Sequence, residues 1–326
     1  MNPLAGSKIR IVIPYHQGKT YIERCLNSLG SSTCSVDEVI IVDNCPESPV
    51  QTPFPISGNS QLTILRTRPS IGFGRACNIG IDHALSQETG VVILLNQDAC
   101  VLPETVGQLA DALFDSAEIL ASFPLMLDYE MKSMHPRYLD YYLVRYKEFL
   151  RDLILHQPKK SYEIGPSDAN GSCVALKANI LRKLVHFDPI YWMYGEENDM
   201  FSRAFALGYR FVLVPAAKVG HRHSNYLDRS SNPVRFRTLH RYALQVKLLK
   251  DPSEHPVRAC LNMLWHTLLS YYRCYRQLGL PMLRSAIASD FKLVKNIRLA
   301  LQHRSAEELQ KSITRQMQVD KNIDLH

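Results

Sequence analysis

Two short runs of uninterrupted apolar residues, each ending in a carboxylate, constrain this chain more than any other feature. Val39-Ile40-Ile41-Val42 runs into Asp43-Asn44, and Val91-Val92-Ile93-Leu94-Leu95 runs into Asn96-Gln97-Asp98. Runs of this length, bounded by turn formers, read as strands buried on both faces, the pattern of a parallel sheet covered by helices. A strand of that kind delivers the residue after it to the carboxyl edge of the sheet, where α/β folds bind ligands. Either Asp alone is also what a solvated strand end or an Asp-Asn turn would supply. Two of them on neighbouring strands point to a ribose, a base edge or a hard cation such as Mg²⁺ or Mn²⁺.

The surrounding chain agrees with that architecture. Ile9 to Pro14 predicts a first strand, and the spacing of Tyr21, Ile22, Cys25, Leu26 and Leu29 predicts a helix that stops at Gly30. Leu62 to Arg66 predicts another strand, after which Gly72-Phe73-Gly74-Arg75 opens a helix reaching Leu85. Strands alternating with helices at these lengths imply right-handed βαβ units. Further on, the pattern predicts a helix from Pro103 to Leu120, a strand from Ala169 to Leu176 and a helix from Ala178 to Leu184. It then predicts a helix running to Leu207 before Gly208, and a last strand from Arg210 to Val214 that leads to His221. Residues 128–165, rich in Tyr, Lys and Arg, fit either an acceptor-facing excursion or a plain pair of helices.

Glu196-Glu197-Asn198-Asp199 is the second acidic cluster. Three carboxylates within four residues repel one another unless a cation, a helix N-terminus or an Arg offsets them, and Arg203 stands one helical turn after Asp199. A solvated acidic first turn of a helix is the plain alternative. His221, after a strand and a Pro turn, suits a metal ligand and a satisfied surface histidine equally.

The order of these motifs resembles that of the family 2 glycosyltransferases with the GT-A fold, most nearly the bacterial rhamnosyltransferase or galactofuranosyltransferase branch. The matching stretches begin with Ile11-Val12-Ile13-Pro14, Glu23 to Leu29, Val39 to Asn44 and Ile71 to Gly80. They continue with Leu95-Asn96-Gln97-Asp98, Gly171-Ser172-Cys173, Tyr194 to Asp199, Gly208-Tyr209-Arg210 and Pro215 to His221. The resemblance covers residues 9–221 and implies a Rossmann-like α/β fold, a mostly parallel sheet with helices on both faces, as residues 1–225. A basic helical extension, residues 226–326, follows.

The resemblance also implies roles. Pro14 and Asp43 would line the nucleotide pocket, with Arg75 and Asn78 near the base or diphosphate and Asn96 and Gln97 beside them. Asp98 and His221 would be the ligands of a divalent metal, Mg²⁺ or Mn²⁺. Glu197 would be the catalytic base, with Asp199 beside it. Three departures from the family pattern stand out: Glu197 stands where Asp is usual, Asn96 replaces the first Asp of the metal motif, and His16-Gln17 replace Tyr-Asn. One fewer anion at the metal implies weaker metal binding. The implied activity is inverting, metal-dependent sugar transfer, rhamnosyl transfer first, from a dTDP- or UDP-linked donor to a glycan or lipid-linked acceptor in cell-surface polysaccharide synthesis. The alternatives are a sugar nucleotidyltransferase and a non-catalytic nucleotide-sugar-binding protein. The first would carry a Gly-rich, Arg/Lys-containing loop after the first strand, where this chain reads Pro14-Tyr15-His16-Gln17-Gly18-Lys19.

Charge is placed unevenly. Residues 222–326 hold 18 Lys and Arg against 8 Asp and Glu, a balance of +10, whereas residues 1–221 hold 20 against 23, or −3. A basic tail on a near-neutral body suggests an anionic surface as partner. No nucleic-acid motif is present, so the expectation is phospholipid rather than nucleic acid. Within the tail, Val257, Leu261, Leu264, Trp265, Leu268, Tyr272 and Tyr275 share one face of a helix, which packs on the body or lies in a membrane interface. The eight cysteines form no C-x-x-C pair, and neither a signal-peptide stretch nor about 20 uninterrupted apolar residues occurs. The expectation is a cytoplasmic protein without a transmembrane span, peripheral at the inner face of the membrane.

Overall fold

The computed structural model describes residues 7–45, 47–50, 60–134, 138, 145–222, 232–251 and 254–321. Its centre is the first half of a nine-stranded sheet: β1 (Ile9–Tyr15), β2 (Glu38–Asp43), β3 (Gln61–Arg66) and β4 (Val91–Leu95), all parallel, in the order β3-β2-β1-β4. Every residue of β2 and of β4 is buried, as the unbroken apolar runs require. Ile11 stands beside Val39 on one side and Ile93 on the other, so the two carboxylate-ending strands flank β1 at a common edge.

Side chains that alternate along β1 enter two cores. Ile9, Ile11 and Ile13 pack with α1 (Lys19–Gly30) and α3 (Thr105–Ala112), which cover one face. Val12 packs on the other face with α2 (Phe73–Leu85), α5 (Ala178–Leu181) and α6 (Glu196–Ala206). Phe149 of α4 (Lys147–Ile154), buried edge-on against Tyr162, belongs to that second core.

Beyond β4 the sheet turns mixed. β8 (Cys173–Lys177) pairs antiparallel with β4 and with β6 (Ile119–Leu127), and β6 runs parallel to β9 (Arg210–His221). β5 (Ala99–Val101) and β7 (Tyr162–Ile164) both pair antiparallel with β9. Two of these strands differ from the sequence reading. The helix predicted to Leu120 ends at Ala112, and β6 begins at Ile119 with Pro124 inside it. The predicted five-residue strand from Arg210 is twelve residues long and carries Pro215. The reason is shared: the β6–β9 register shifts after the pair Pro124 and Val214, and the next pair is Leu125 with Lys218. Both prolines sit at that bulge, where a missing N–H is tolerated.

Three helices follow: α7 (Pro233–Lys250), capped by the Asn232 side chain on the Arg235 N–H, α8 (Pro256–Gln302) and α9 (Ala306–Lys321). Tyr242, Val246 and Leu249 of α7 pack against Ile190 and Tyr191 of the body and Met263 and Leu293 of α8. α8 bends at Gly279, whose φ of 65° breaks the helical run. Among the described residues no helix is long and apolar enough to cross a membrane.

Candidate active site

The edge where β4 ends is closed by β5 and β9. Ala99 pairs with His221, the last residue of β9, and this pairing carries the imidazole to Asp98, 123 positions away in the chain. His221 Nε2 lies 3.1 Å from Asp98 Oδ1 and 3.4 Å from Asn96 Nδ2. Both the Asp98 and His221 side chains are buried, while Asn96 Oδ1 is buried with no hydrogen-bond partner. A carboxylate, an imidazole and an unsatisfied amide oxygen at one point are donors suited to Mg²⁺ or Mn²⁺, with remaining positions left to phosphate oxygens. No cluster of three or more His, Cys, Asp and Glu side chains occurs among the described residues, so the chain by itself offers an incomplete shell.

The second cluster reaches the same place by a different route. The Asn96 N–H donates to the Ser172 carbonyl at 2.8 Å, which sets the Gly171-Ser172 turn against the end of β4. Glu197, in the first turn of α6, lies directly over that turn: a Cβ on Gly171 would come within 1.9 Å of Glu197 Oε1. Gly171 is therefore a glycine because the carboxylate rests on its backbone. One cleft of about 980 Å³ is lined by Asn96, Ser172, Glu197, His221, His240 and Lys247, so the metal-type donors and the carboxylate share it, with α7 as the far wall.

α6 is aimed by an unusual turn. Tyr194 (φ 68°) and Gly195 (φ 91°) are both left-handed immediately before Glu196, a conformation that costs a residue other than glycine of the order of 1 kcal/mol. What holds it is α7: the Tyr194 ring stacks on His240 at 4.3 Å between centroids and meets Phe236 edge-on at 5.5 Å.

The three acids of the cluster have different surroundings. Glu196 is buried, its Oε2 has no partner, and burial with the neighbouring Glu197 charge pushes its carboxyl up to about 8. It is a neutral acid at pH 7. Asp199, predicted beside the base, is held as an ion pair: Oδ2 accepts from Arg203 Nε at 2.9 Å and Oδ1 from Lys250 Nζ at 2.5 Å. Lys250 also reaches Asp188 Oδ2 at 2.5 Å, and Asp188 in turn meets His303 Nδ1 at 2.9 Å. Burial alone would raise the Asp188 carboxyl, but His303 and Lys250 outweigh it and keep it below the usual range. Asp199 therefore positions α6, and the partner predicted from one-turn spacing, Arg203, is one of two. Lys250, 51 residues on, left no local signal.

The residues expected at the nucleotide are spread over several tasks. Pro14 is near the end of β1, in register with Val42. Both Asp43 oxygens accept from its own loop, from the Cys45 and Val50 N–H groups at 3.0 Å, which is the turn-forming role. Asn78 bonds the Phe187 backbone twice, donating to its carbonyl at 2.8 Å and accepting from its N–H at 3.0 Å, so its amide locks α2 to the chain before Asp188. Arg75 donates to the Pro189 carbonyl at 3.1 Å and keeps a buried Nε without a partner. Gln97 clamps the β1–α1 turn, accepting from the His16 N–H at 2.6 Å and donating to the Gln17 carbonyl. Hence Asp98, His221, Asn96 and Glu197 converge, whereas Asp43, Asn78 and Gln97 organise the loops around them.

Solved structures share this fold. TarS of S. aureus, residues 1–349 in complex with UDP-GlcNAc, superposes with a TM-score of 0.55 at 14% identity, over 96% of this chain and 90% of that one. The longer TarS structure gives 0.52 at 15% identity, over 97% of this chain, which spans 53% of it. At these identities the likeness shows the fold: a GT-A domain with a helical C-terminal region. No curated protein sequence was found to match. The family model for glycosyl transferase family 2 matches residues 10–184, more than half of the chain. On that match, the chain belongs to glycosyl transferase family 2.

Proposed function

We propose that the protein is an inverting glycosyltransferase that carries a sugar, rhamnose first among candidates, from a dTDP- or UDP-linked donor to a glycan or lipid-linked acceptor during cell-surface polysaccharide synthesis, in the cytoplasm. The observation that carries the reading is the shared cleft, which Glu197, His221 and Asn96 all line, with Asp98 in contact with His221 behind it. The binding of UDP-GlcNAc by TarS supports a nucleotide-sugar donor. Asp98 and His221, with Asn96 Oδ1, would hold a divalent ion that supplies positive charge to the diphosphate. Asp98 keeps the imidazole oriented. Glu197 takes the proton of the acceptor hydroxyl as that oxygen attacks the anomeric carbon, and attack from the face opposite the diphosphate inverts the centre. Lys250 and Arg203, by fixing Asp199, keep α6 and hence Glu197 in register.

A panel of nucleotide sugars, scored by released nucleoside diphosphate with Mn²⁺ and with chelator, tests this. Glu197→Gln is expected to lower turnover by roughly 10²- to 10⁴-fold, the range of a lost general base, with donor affinity kept within twofold. Unchanged turnover in the variant, or equal rates with Mn²⁺ and chelator, would overturn the base or the metal assignment respectively.

A further inference from the structure

α8 wears its polarity inside out. The buried face of its first half is mostly small or polar, Ala259, Thr267, Ser270 and Cys274 beside the one large apolar side chain Met263. That face receives α7 through polar contacts, for Arg241 Nε donates to Ser270 Oγ at 2.7 Å and its guanidinium grips both oxygens of Asp290, while Gln245 Nε2 donates to Thr267 Oγ1 at 2.7 Å. Outward, at helical spacing, stand Leu261, Leu264, Trp265, Leu268, Tyr272 and Tyr275, all exposed, Trp265 by 65% and Leu268 by 63%. The stripe predicted from sequence to be a packing face or an interfacial one is the face turned away from the body. Past the break at Gly279, Ile287, Phe291 and Val294 are exposed as well.

Charge decides what such a face meets. Between Pro256 and Gln302 there are seven Lys and Arg, all exposed, and one acid, Asp290, already paired with Arg241. The exposed surface of α8 is thus apolar and cationic; Arg258 is paired with Glu254, and the helix carries no acid besides Asp290. Two copies meeting through it would set like charges against each other, and an apolar protein partner would leave the cations unanswered. An anionic lipid surface satisfies both properties at once, the rings and aliphatic chains entering the headgroup boundary and the cations meeting phosphate. We propose that α8 is a docking surface for an anionic phospholipid bilayer and lies in its interface plane. The contact is peripheral, since no described helix is long and apolar enough to span.

Flotation of the full chain with vesicles tests it. Binding is expected to phosphatidylcholine vesicles containing phosphatidylglycerol and to be about tenfold or more weaker to phosphatidylcholine alone and at high salt. Trp265 emission should shift to the blue on binding. The double variant Trp265→Glu, Leu268→Glu changes exposed positions, so its melting temperature should match the parent while vesicle binding falls at least about tenfold. No flotation at low salt, equal flotation of parent and variant, or a parent dimer in solution that the variant dissociates would each overturn the proposal, the last in favour of a second copy. None of these readouts involves sugar transfer, so the docking surface and the transferase reading stand or fall separately.

Discussion

Glu196 keeps its proton at neutral pH, and that fact has a measurable cost. Facing it are Glu197 and Asp199 on its own helix and the Cys77 thiol from α2, which itself is pushed up by burial and by these two glutamates. In the unfolded chain the same carboxyl ionises near the ordinary Glu value of about 4.3. A folded-state value raised to about 8 means that the native protein holds the proton more tightly. The stabilisation is therefore complete below about pH 4 and is lost as pH rises through about 8, by roughly 3–5 kcal/mol in all. Thermal melts from pH 5 to 9 should show that decline in the parent and a much flatter profile in Glu196→Gln; parallel profiles would show that Glu196 is already ionised in the fold. At this scale the sequence was informative where chemistry and order coincide. Asp98, His221 and Glu197 stand out because each falls in a recognisable block, and Asp98 and His221 meet in the fold. The bonds that Asp43 and Asn78 make were not legible, since the groups that take up their side chains are backbone amides and carbonyls, which no residue type announces.

At the scale of elements, α6 is fixed from behind by a buried chain of polar contacts, Asp199–Lys250–Asp188–His303, that ties it to the end of α7 and to the turn between α8 and α9. Removing one partner of such a set leaves buried charge uncompensated, at a cost of about 3–5 kcal/mol. Lys250→Met is expected to lose that much in urea unfolding, and adding Asp199→Asn should return part of the loss; an unchanged midpoint for Lys250→Met would show that the chain of charges is dispensable. The strands of the parallel half were legible because each is an unbroken apolar run between turn formers. β6 was not, because its apolar residues continue the helical pattern that precedes it, and its proline argues against a strand unless the bulge opposite Val214 is known.

For the whole molecule, the extension is part of the working body. α7 supplies one wall of the cleft and covers Ile190 and Tyr191, so a chain ending at residue 225 would expose that apolar surface and lose the cations that answer Asp188 and Asp199. Such a fragment is expected to lack a cooperative thermal transition; a fragment that melts cooperatively and binds donor would show the two regions to be independent. The jump in charge set the extension apart in the sequence, but the intimacy of the two regions was not visible there, since it rests on single contacts between residues tens of positions apart. One of those contacts is the ring of Tyr194 lying flat on His240. The imidazole belongs to α7 and the phenol to the left-handed turn ahead of Glu197, and α7 also bears the weight of α8. A single helix thus touches both α8, the proposed lipid contact, and the turn that aims the proposed base, so a tilt of α7 would be felt at both places.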